Sequence, residues 1–179
     1  MLRNDRFFIL TGGPGVGKTS LLEELRRMGF GCVEEVAREI IKEQVTDGGN
    51  ALPWGDTALY ASIMHRRSVE TYISASSEGV VFFDRGIPDT LSYIRLINGA
   101  LTKEMDADAR EFRYNQRVFI LPPWPEIYET DSERKQDWEE AVRTYEQLQK
   151  TYRAYGYELI ELPKASVEQR ADFVLYYIY

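Results

Sequence analysis

The stretch Gly12-Gly13-Pro14-Gly15-Val16-Gly17-Lys18-Thr19 decides the fold, because it fits G-x-x-x-x-G-K-[ST], the P-loop pattern. An apolar run at 7–10 comes directly before it, and apolar residues at 21, 22, 25 and 28 follow it at helical spacing. The pattern indicates a phosphate-binding loop when it lies between a strand and a helix, and both are predicted here. The stretch therefore predicts a nucleotide-binding loop.

Each fixed position of this pattern has a chemical reason. Glycines allow successive backbone N–H groups to surround a triphosphate without hindrance from side chains. Lys18 is a mobile point charge, expected in solvent-accessible space, that reaches the outer phosphates, while the Thr19 hydroxyl is suited to ligate magnesium. The helix that begins near Lys18 directs its positive end at the phosphates. The predicted nucleotide-binding residues of the loop are Gly12, Gly13, Pro14, Gly15, Val16, Gly17, Lys18, Thr19 and Ser20.

Composition restricts the classes of function. The 179 residues carry a net charge of −7, which argues against nucleic-acid partners, and 44% of them are apolar, enough for a sizeable core. The single cysteine, Cys32, excludes an internal disulfide and favours a reducing cytoplasmic location. No run of apolar residues approaches the length of a membrane span, and the N-terminus does not resemble a signal peptide.

Five short apolar segments alternate with helical patterns along the chain. The segments are 6–11, 30–34, 80–83, 117–121 and 157–162, and this alternation predicts an α/β fold with a parallel sheet. We expect a three-layer P-loop NTPase fold, with a five-stranded parallel sheet and helices on both faces. The prediction is one nucleotide-binding domain over 1–179, with ligands at the carboxyl ends of the strands.

A second group of candidate residues follows the apolar run 80–83. Asp84 ends this run, where a carboxylate can hold magnesium or its waters beside the P-loop. The alternative for Asp84 is a helix cap or turn. Arg85 can pair with phosphate, or form a structural ion pair with Asp84 or Glu35. Asp84 and Arg85 are therefore candidate catalytic residues together with Lys18.

The second strand also ends in charged residues. Glu34 or Glu35 can accept the proton of an acceptor hydroxyl or bind a sugar hydroxyl, and Arg38 can clamp an anionic acceptor. The alternative is helix capping by glutamate together with an Arg–Glu surface pair. The acceptor-binding candidates are Glu34, Glu35, Arg38 and Asp89, with Glu35 also a catalytic candidate.

Four segments together give a family resemblance: the P-loop, 35–38 (EVAR), 84–90 (DRGIPDT), and the closing GYEL at 156–159 with LP at 162–163. They resemble the small P-loop NTPase family, often labelled AAA-type, that includes the ribosylnicotinamide kinase domain of NadR. The Asp-Arg pair is also similar to thymidylate and deoxynucleoside kinases. Gly86 stands where thymidylate kinases commonly have an aromatic residue, which argues against a thymidylate acceptor.

The resemblance implies ATP with Mg²⁺ and often phosphoryl transfer to a small acceptor. It also implies a small helical lid with arginines between the last two strands, and the candidate segment is 122–137. Arg134 is the catalytic candidate there, and Lys135 and Arg143 are alternatives. A solvated charged face is the other interpretation of this segment. The loop after the last strand borders the base in such folds, and it contains Pro163, Lys164 and Ala165.

Two functions from different classes remain open. The first is a magnesium-dependent kinase that acts on a nucleoside, nucleotide or similar small metabolite. The second is a nucleotide-regulated ATPase or GTPase module whose output is contact with a protein partner. The guanine-recognising pattern [NT]-K-x-D is missing, since 102–105 reads TKEM, which favours ATP and leaves GTP open.

Overall fold

The structure, a computed structural model, describes residues 1–76, 78–127 and 138–179. Its strands coincide with the predicted apolar segments, apart from two short additions of two residues each. The strands are β1 Leu2–Arg3, β2 Phe7–Gly12, β3 Gly31–Val33, β4 Val81–Asp84, β5 Phe112–Arg113, β6 Arg117–Leu121 and β7 Glu158–Glu161.

Seven α-helices connect these strands within the described residues. The helix predicted to begin near Lys18 does begin there. The helices are α1 Lys18–Arg27, α2 Val36–Asp47, α3 Thr57–Ser74, α4 Ile87–Leu96, α5 Lys103–Glu111, α6 Trp138–Ala154 and α7 Val167–Ile178. A short 3-10 helix, Pro125–Ile127, follows β6.

The main sheet has the order β3-β4-β2-β6-β7, and every neighbouring pair is parallel. This arrangement confirms the predicted five-stranded parallel sheet. β1 and β5 form a separate parallel pair. Sequence patterns did not predict this pair, because two residues are too few to show a period.

Helices cover both faces of the sheet, as the apolar runs predict. Phe7 and Ile9 point to one face and pack in a core with α3, α4, α5 and α6, while Phe8 and Leu10 pack on the other face with α1 and α7. Side chains alternate between the faces of a strand, so a strand buried on both faces must be apolar throughout. The three-layer α/β architecture is therefore confirmed.

The carboxyl ends of the five strands meet at one edge of the sheet. Because all five strands run in the same direction, their last residues Gly12, Val33, Asp84, Leu121 and Glu161 lie along that edge. Each segment predicted to carry chemistry begins there. No helix among the described residues has both the length and the apolar character needed to cross a membrane. Of the candidate lid at 122–137, residues 128–137 lie outside the described residues.

Candidate functional site

The P-loop connects β2 to α1, and three of its glycines, Gly12, Gly15 and Gly17, have positive φ. Gly12 has φ 150°, and a Cβ there would lie 2.7 Å from the Leu121 carbonyl oxygen of the neighbouring strand. Gly17 has φ 80°, and a Cβ there would lie 2.8 Å from the Arg170 guanidinium. A larger residue at either position would combine backbone strain with a clash. The loop is therefore held tightly between β6 and α7.

Lys18 lies in the centre of the loop. Its Nζ donates to the carbonyl oxygens of Gly13 at 3.1 Å and Gly12 at 3.4 Å. The residue is only 7% exposed, so the prediction that its amine is solvent-accessible is wrong: the side chain turns back onto the loop. Burial, followed by the charge of Arg85, lowers the pKa of the Lys18 ammonium. An anion at the loop would relieve this cost.

Asp84 lies on β4 beside β2, with Leu10 as its register partner. The residue is buried, and its Oδ1 has no hydrogen-bond partner among the described residues. Burial, reinforced by the nearby Glu35 charge, raises the pKa of the Asp84 carboxyl. A buried, unpartnered carboxylate oxygen is costly unless it receives a ligand.

The donor set at this position fits Mg²⁺. Thr19 and Asp84 offer hard oxygen atoms, and Mg²⁺ in nucleotide sites is typically held by one or two protein oxygens together with phosphates and water. No group of three or more potential metal-ligating His, Cys, Asp or Glu residues occurs in the described part of the chain, and such a site does not need one.

We predict that Asp84→Asn impairs magnesium-dependent turnover at limiting Mg²⁺ by at least about 10-fold, with little change in nucleotide affinity. The physical reason is that the backbone loop is expected to carry much of the phosphate binding, whereas the carboxylate is expected to serve the metal. The ionised form destabilises the fold at neutral pH, as the raised pKa implies, so the variant should also melt at a higher temperature. Asp47→Asn, at the exposed end of α2, is the control. An Asp84→Asn rate equal to wild type at limiting Mg²⁺ would assign the metal to another group.

Arg85 and Glu35 form the ion pair that was one of the alternatives for these residues. Arg85 Nε donates to Glu35 Oε1 at 2.7 Å, and Arg38 Nε lies 3.6 Å from Glu35 Oε2. Burial opposes the charge of Glu35, but Arg85 and Lys18 outweigh it and lower the pKa of this carboxyl. Arg85 has φ 71°, a conformation that a non-glycine residue rarely adopts and that is often found at functional sites.

Asp89 holds the start of α4 in place. Its Oδ1 accepts from Thr11 Oγ1 at 2.6 Å and Arg85 Nη1 at 3.3 Å. Its Oδ2 accepts from the Gly86 N–H at 2.8 Å and from the Tyr152 hydroxyl. The residue is 7% exposed, so both oxygens of this acceptor-binding candidate are already engaged by the protein.

Glu34 and Glu35 are adjacent in sequence but take different partners. Glu34 pairs with Arg26 of α1, and more than half of its side-chain surface is exposed. Glu35 has only 15% of its side chain exposed and contacts Arg85. Of the two acidic candidates, the structure thus brings Glu35 into the Asp84–Arg85 group.

A cleft with about 360 Å³ of empty space, partly open to solvent, lies beside this group. Its walls come from the ends of β3 and β4 and from α2, α3 and α4. The polar residues that line it include Glu34, Glu35, Ser68, Asp84, Arg85 and Asp89. The enclosed part of this cleft is small, about 20 Å³, so the cleft is a shallow opening to solvent that reaches Asp84.

The remaining candidates lie at other points of the edge. Pro163 and Lys164 are exposed and Ala165 is half-buried in the loop between β7 and α7, and Ser20 is exposed in the first turn of α1. Arg143 is exposed on α6. Arg134 and Lys135 lie outside the described residues.

Sequence reasoning missed Arg170, which contacts the back of the P-loop. Its Nη1 donates to the carbonyl oxygens of Val16 and Gly17, and it is 4% exposed. The sequence did contain a signal for it, because Arg170 lies in the apolar stripe of α7 formed by Val167, Ala171 and Val174. A charged residue in such a stripe indicates a buried partner.

Comparison with known proteins agrees with this geometry. The family model described as an AAA domain matches residues 7–170. No curated protein matches the chain in sequence at a significant level. Among solved structures, the chain is similar to NadR in complex with NR, with a TM-score of 0.71 and 18% identity, over 98% of this chain and 50% of that one.

Two complete kinases are also similar. Thymidylate kinase from Ehrlichia chaffeensis aligns with a TM-score of 0.66 and 14% identity, over 97% of this chain and 98% of that one. Deoxyadenosine kinase from M. mycoides aligns with a TM-score of 0.62 and 14% identity, over 96% and 98%. Identities this low show a common fold, and the chain spans about half the length of NadR. The match over residues 7–170 shows that the chain belongs to the AAA domain family of P-loop NTPases, with the fold of the P-loop kinases.

Proposed function

We propose that this protein is a magnesium-dependent kinase that transfers the terminal phosphoryl group of ATP to a nucleoside, a nucleotide or a similar small metabolite. The observation that supports this most strongly is the position of the cleft. It extends from Asp84 to the Glu35–Arg85 pair, whose Nε–Oε1 distance is 2.7 Å. An acceptor bound in this cleft would lie between the carboxylate proposed for Mg²⁺ and a charged pair that can contact it.

Each group at the sheet edge has a place in this reaction. The loop amides and Lys18 bind the triphosphate, and Thr19 with Asp84 would hold Mg²⁺. The bound ion would neutralise charge on the β- and γ-phosphates. Arg85 is kept charged by Glu35 and Asp89, which outweigh its burial and raise the pKa of its guanidinium. It can therefore present a cation to a phosphate or to an acceptor at any physiological pH.

Glu35 is suited to orient the acceptor. Because its pKa is lowered, the carboxylate is ionised at neutral pH and can accept a hydrogen bond from an acceptor hydroxyl. A hydroxyl held this way is in position to attack the phosphoryl group, and its proton then has an acceptor. Arg38, which is close to Glu35, could bind an anionic part of the acceptor.

The relatives of similar fold support a nucleoside-type acceptor. NadR is solved with NR and, in another structure, with NAD and AMP-PNP, and the other two relatives are named for nucleoside and nucleotide kinase activities. AMP-PNP in NadR also favours ATP as the donor here. We place the base beside the loop of Pro163, Lys164 and Ala165, and we retain Glu34 and Asp89 only as neighbours of the acceptor.

We predict that the rate falls on the acid side as Asp84 takes up a proton. Its raised pKa means that protonation begins above the ordinary value of 3.8 as the pH falls, whereas Glu35 stays ionised to lower pH. Protons and Mg²⁺ compete for the same carboxylate, so a higher Mg²⁺ concentration should move the acid limb to lower pH. The measurement is a series of pH–rate profiles at several Mg²⁺ concentrations. An acid limb that does not move with Mg²⁺ would contradict the assignment.

The proposal is tested by an acceptor screen with ATP and Mg²⁺. Nucleosides, nucleotides and related metabolites are added singly, and ADP and phosphorylated product are followed together. We expect at least one compound to stimulate ADP formation and to appear as its phosphate ester. If ADP forms at a rate that no compound affects, the protein is instead a nucleotide-regulated module.

A further inference from the structure

Arg170 projects from the first turn of α7 onto the reverse side of the P-loop. Its Nη1 lies 3.3 Å from the Val16 carbonyl oxygen and 3.4 Å from the Gly17 carbonyl oxygen. Both carbonyls belong to the turn that leads into Lys18. Thus one side chain, 153 residues away along the chain, contacts two successive peptide units of the loop.

The Arg170 charge is not neutralised by any carboxylate in the described parts of the chain. Its Nε has no hydrogen-bond partner there, and the centroid of the Trp124 ring lies 5.6 Å from its Cζ. Burial accordingly lowers the pKa of its guanidinium. A buried cation without an anionic partner is costly, so its presence calls for a reason other than stability.

Peptide geometry supplies that reason. In a planar trans peptide the C=O and N–H groups point in opposite directions. The peptide of the Val16 carbonyl carries the N–H of Gly17, and the peptide of the Gly17 carbonyl carries the N–H of Lys18. A cation on these two oxygens therefore fixes both N–H groups toward the opposite side of the loop. It also polarises them, because hydrogen bonds in series strengthen one another.

We propose that Arg170 is a positioning residue that orients and polarises the Gly17 and Lys18 amides for binding the phosphates of the nucleotide. This role rests on the proposed nucleotide site. In this role the bound anion serves as a counter-charge to Arg170, acting through the peptide units and not by direct contact. The Trp124 ring lies within cation–π distance of the same guanidinium, with its centroid 5.6 Å from Cζ.

The test compares Arg170→Met with wild type. Methionine fills similar space without charge or donor, so affinity for ATP should fall about 10- to 100-fold, as when a charged hydrogen-bonding group is lost. Inorganic tripolyphosphate should lose the same factor, because the effect acts on the phosphates. The melting temperature without nucleotide should stay equal or rise, since a buried charge is removed. Calorimetry and thermal melting measure these quantities.

Arg117→Met is the matched control, because Arg117 also donates to a backbone carbonyl, that of Tyr177 at 2.8 Å. Arg117 is the first residue of β6 and so lies at the end of the sheet opposite the P-loop. The control variant should leave both affinities unchanged. If Arg170→Met does not fold, Arg170→Gln, which keeps a donor but no charge, serves for the same comparison and the same loss is expected.

Three results would overturn this role. Wild-type affinity in the Arg170 variant would show that the loop needs no support. A loss for ATP with unchanged tripolyphosphate affinity would mean that Arg170 acts on the base or sugar. A lower melting temperature with unchanged affinity would mean a purely structural side chain. If the wild-type protein binds neither ATP nor tripolyphosphate, both the proposed nucleotide site and the role of Arg170 are wrong. The first three results would contradict only the role of Arg170.

Discussion

Lys18→Met is expected to lower ATP affinity by about 100-fold or more while the protein stays folded. A buried ammonium that interacts with phosphate forms charge-assisted hydrogen bonds worth roughly 1.5–3 kcal/mol each, and the outer phosphates offer more than one acceptor. The fold should tolerate the change, because burial already disfavours the charge and lowers the pKa of this residue. Calorimetric titration with ATP measures the affinity, and circular dichroism measures the fold.

Lys103→Ala, at the exposed start of α5, is the control for loss of a positive charge elsewhere. It should bind ATP like wild type. Wild-type affinity in folded Lys18→Met would mean that Lys18 does not contact phosphate, and the nucleotide site would have to be placed elsewhere.

Arg134→Ala is expected to reduce the catalytic rate by about 10³-fold or more, with a much smaller change in ATP affinity. In the transition state the transferring phosphoryl group spreads negative charge over its outer oxygens. A cation that arrives when a lid closes stabilises this state preferentially. Arginine is suited to the task because it stays charged and presents a planar fork of donors. Single-turnover kinetics with the acceptor found by screening measures the rate, and a separate titration measures ATP affinity.

The described residues that precede and follow the candidate lid, Leu121 and Ala141, lie beside the P-loop. Leu121, at the end of β6, pairs with Gly12, and the carbonyl oxygen of Ala141 on α6 lies 3.5 Å from the position of a Cβ on Gly13. A segment that leaves and returns beside the loop can bring a cation to the phosphates. Lys135→Ala and Arg143→Ala should be measured separately, because either residue could supply that cation. Wild-type rates in all three variants would show that this segment is not a catalytic lid.

Most of the fold could be predicted from sequence, because the buried strands have a distinct pattern. A run such as Val80–Phe83 is apolar on both faces, which only a central parallel strand requires. The P-loop then fixed which end of the sheet binds ligand. The pair β1–β5 escaped prediction because a two-residue strand has no period, and its formation depends on contacts between residues 2–3 and 112–113.

The site was less predictable where two residues adjacent in sequence have similar side chains and only the tertiary fold determines the partner of each. Glu34 and Glu35 have the same chemistry, and only the fold shows that Glu34 meets Arg26 while Glu35 meets Arg85. Asp89 was expected to face an acceptor, yet four donors of the protein surround its carboxylate. Each of these outcomes depends on contacts with residues distant in sequence. Periodicity and motif spacing give no information on such contacts.

The fate of the terminal phosphoryl group tests the central claim most directly. Turnover with ATP, Mg²⁺ and the best acceptor is run in ¹⁸O-labelled water, and the products are analysed by mass spectrometry. A kinase transfers the group to an acceptor oxygen, so we predict one phosphorylated acceptor per ADP, without solvent label in the phosphoryl group. Terminal phosphate released entirely as inorganic phosphate with one solvent oxygen, whichever acceptor is present, would contradict the kinase assignment.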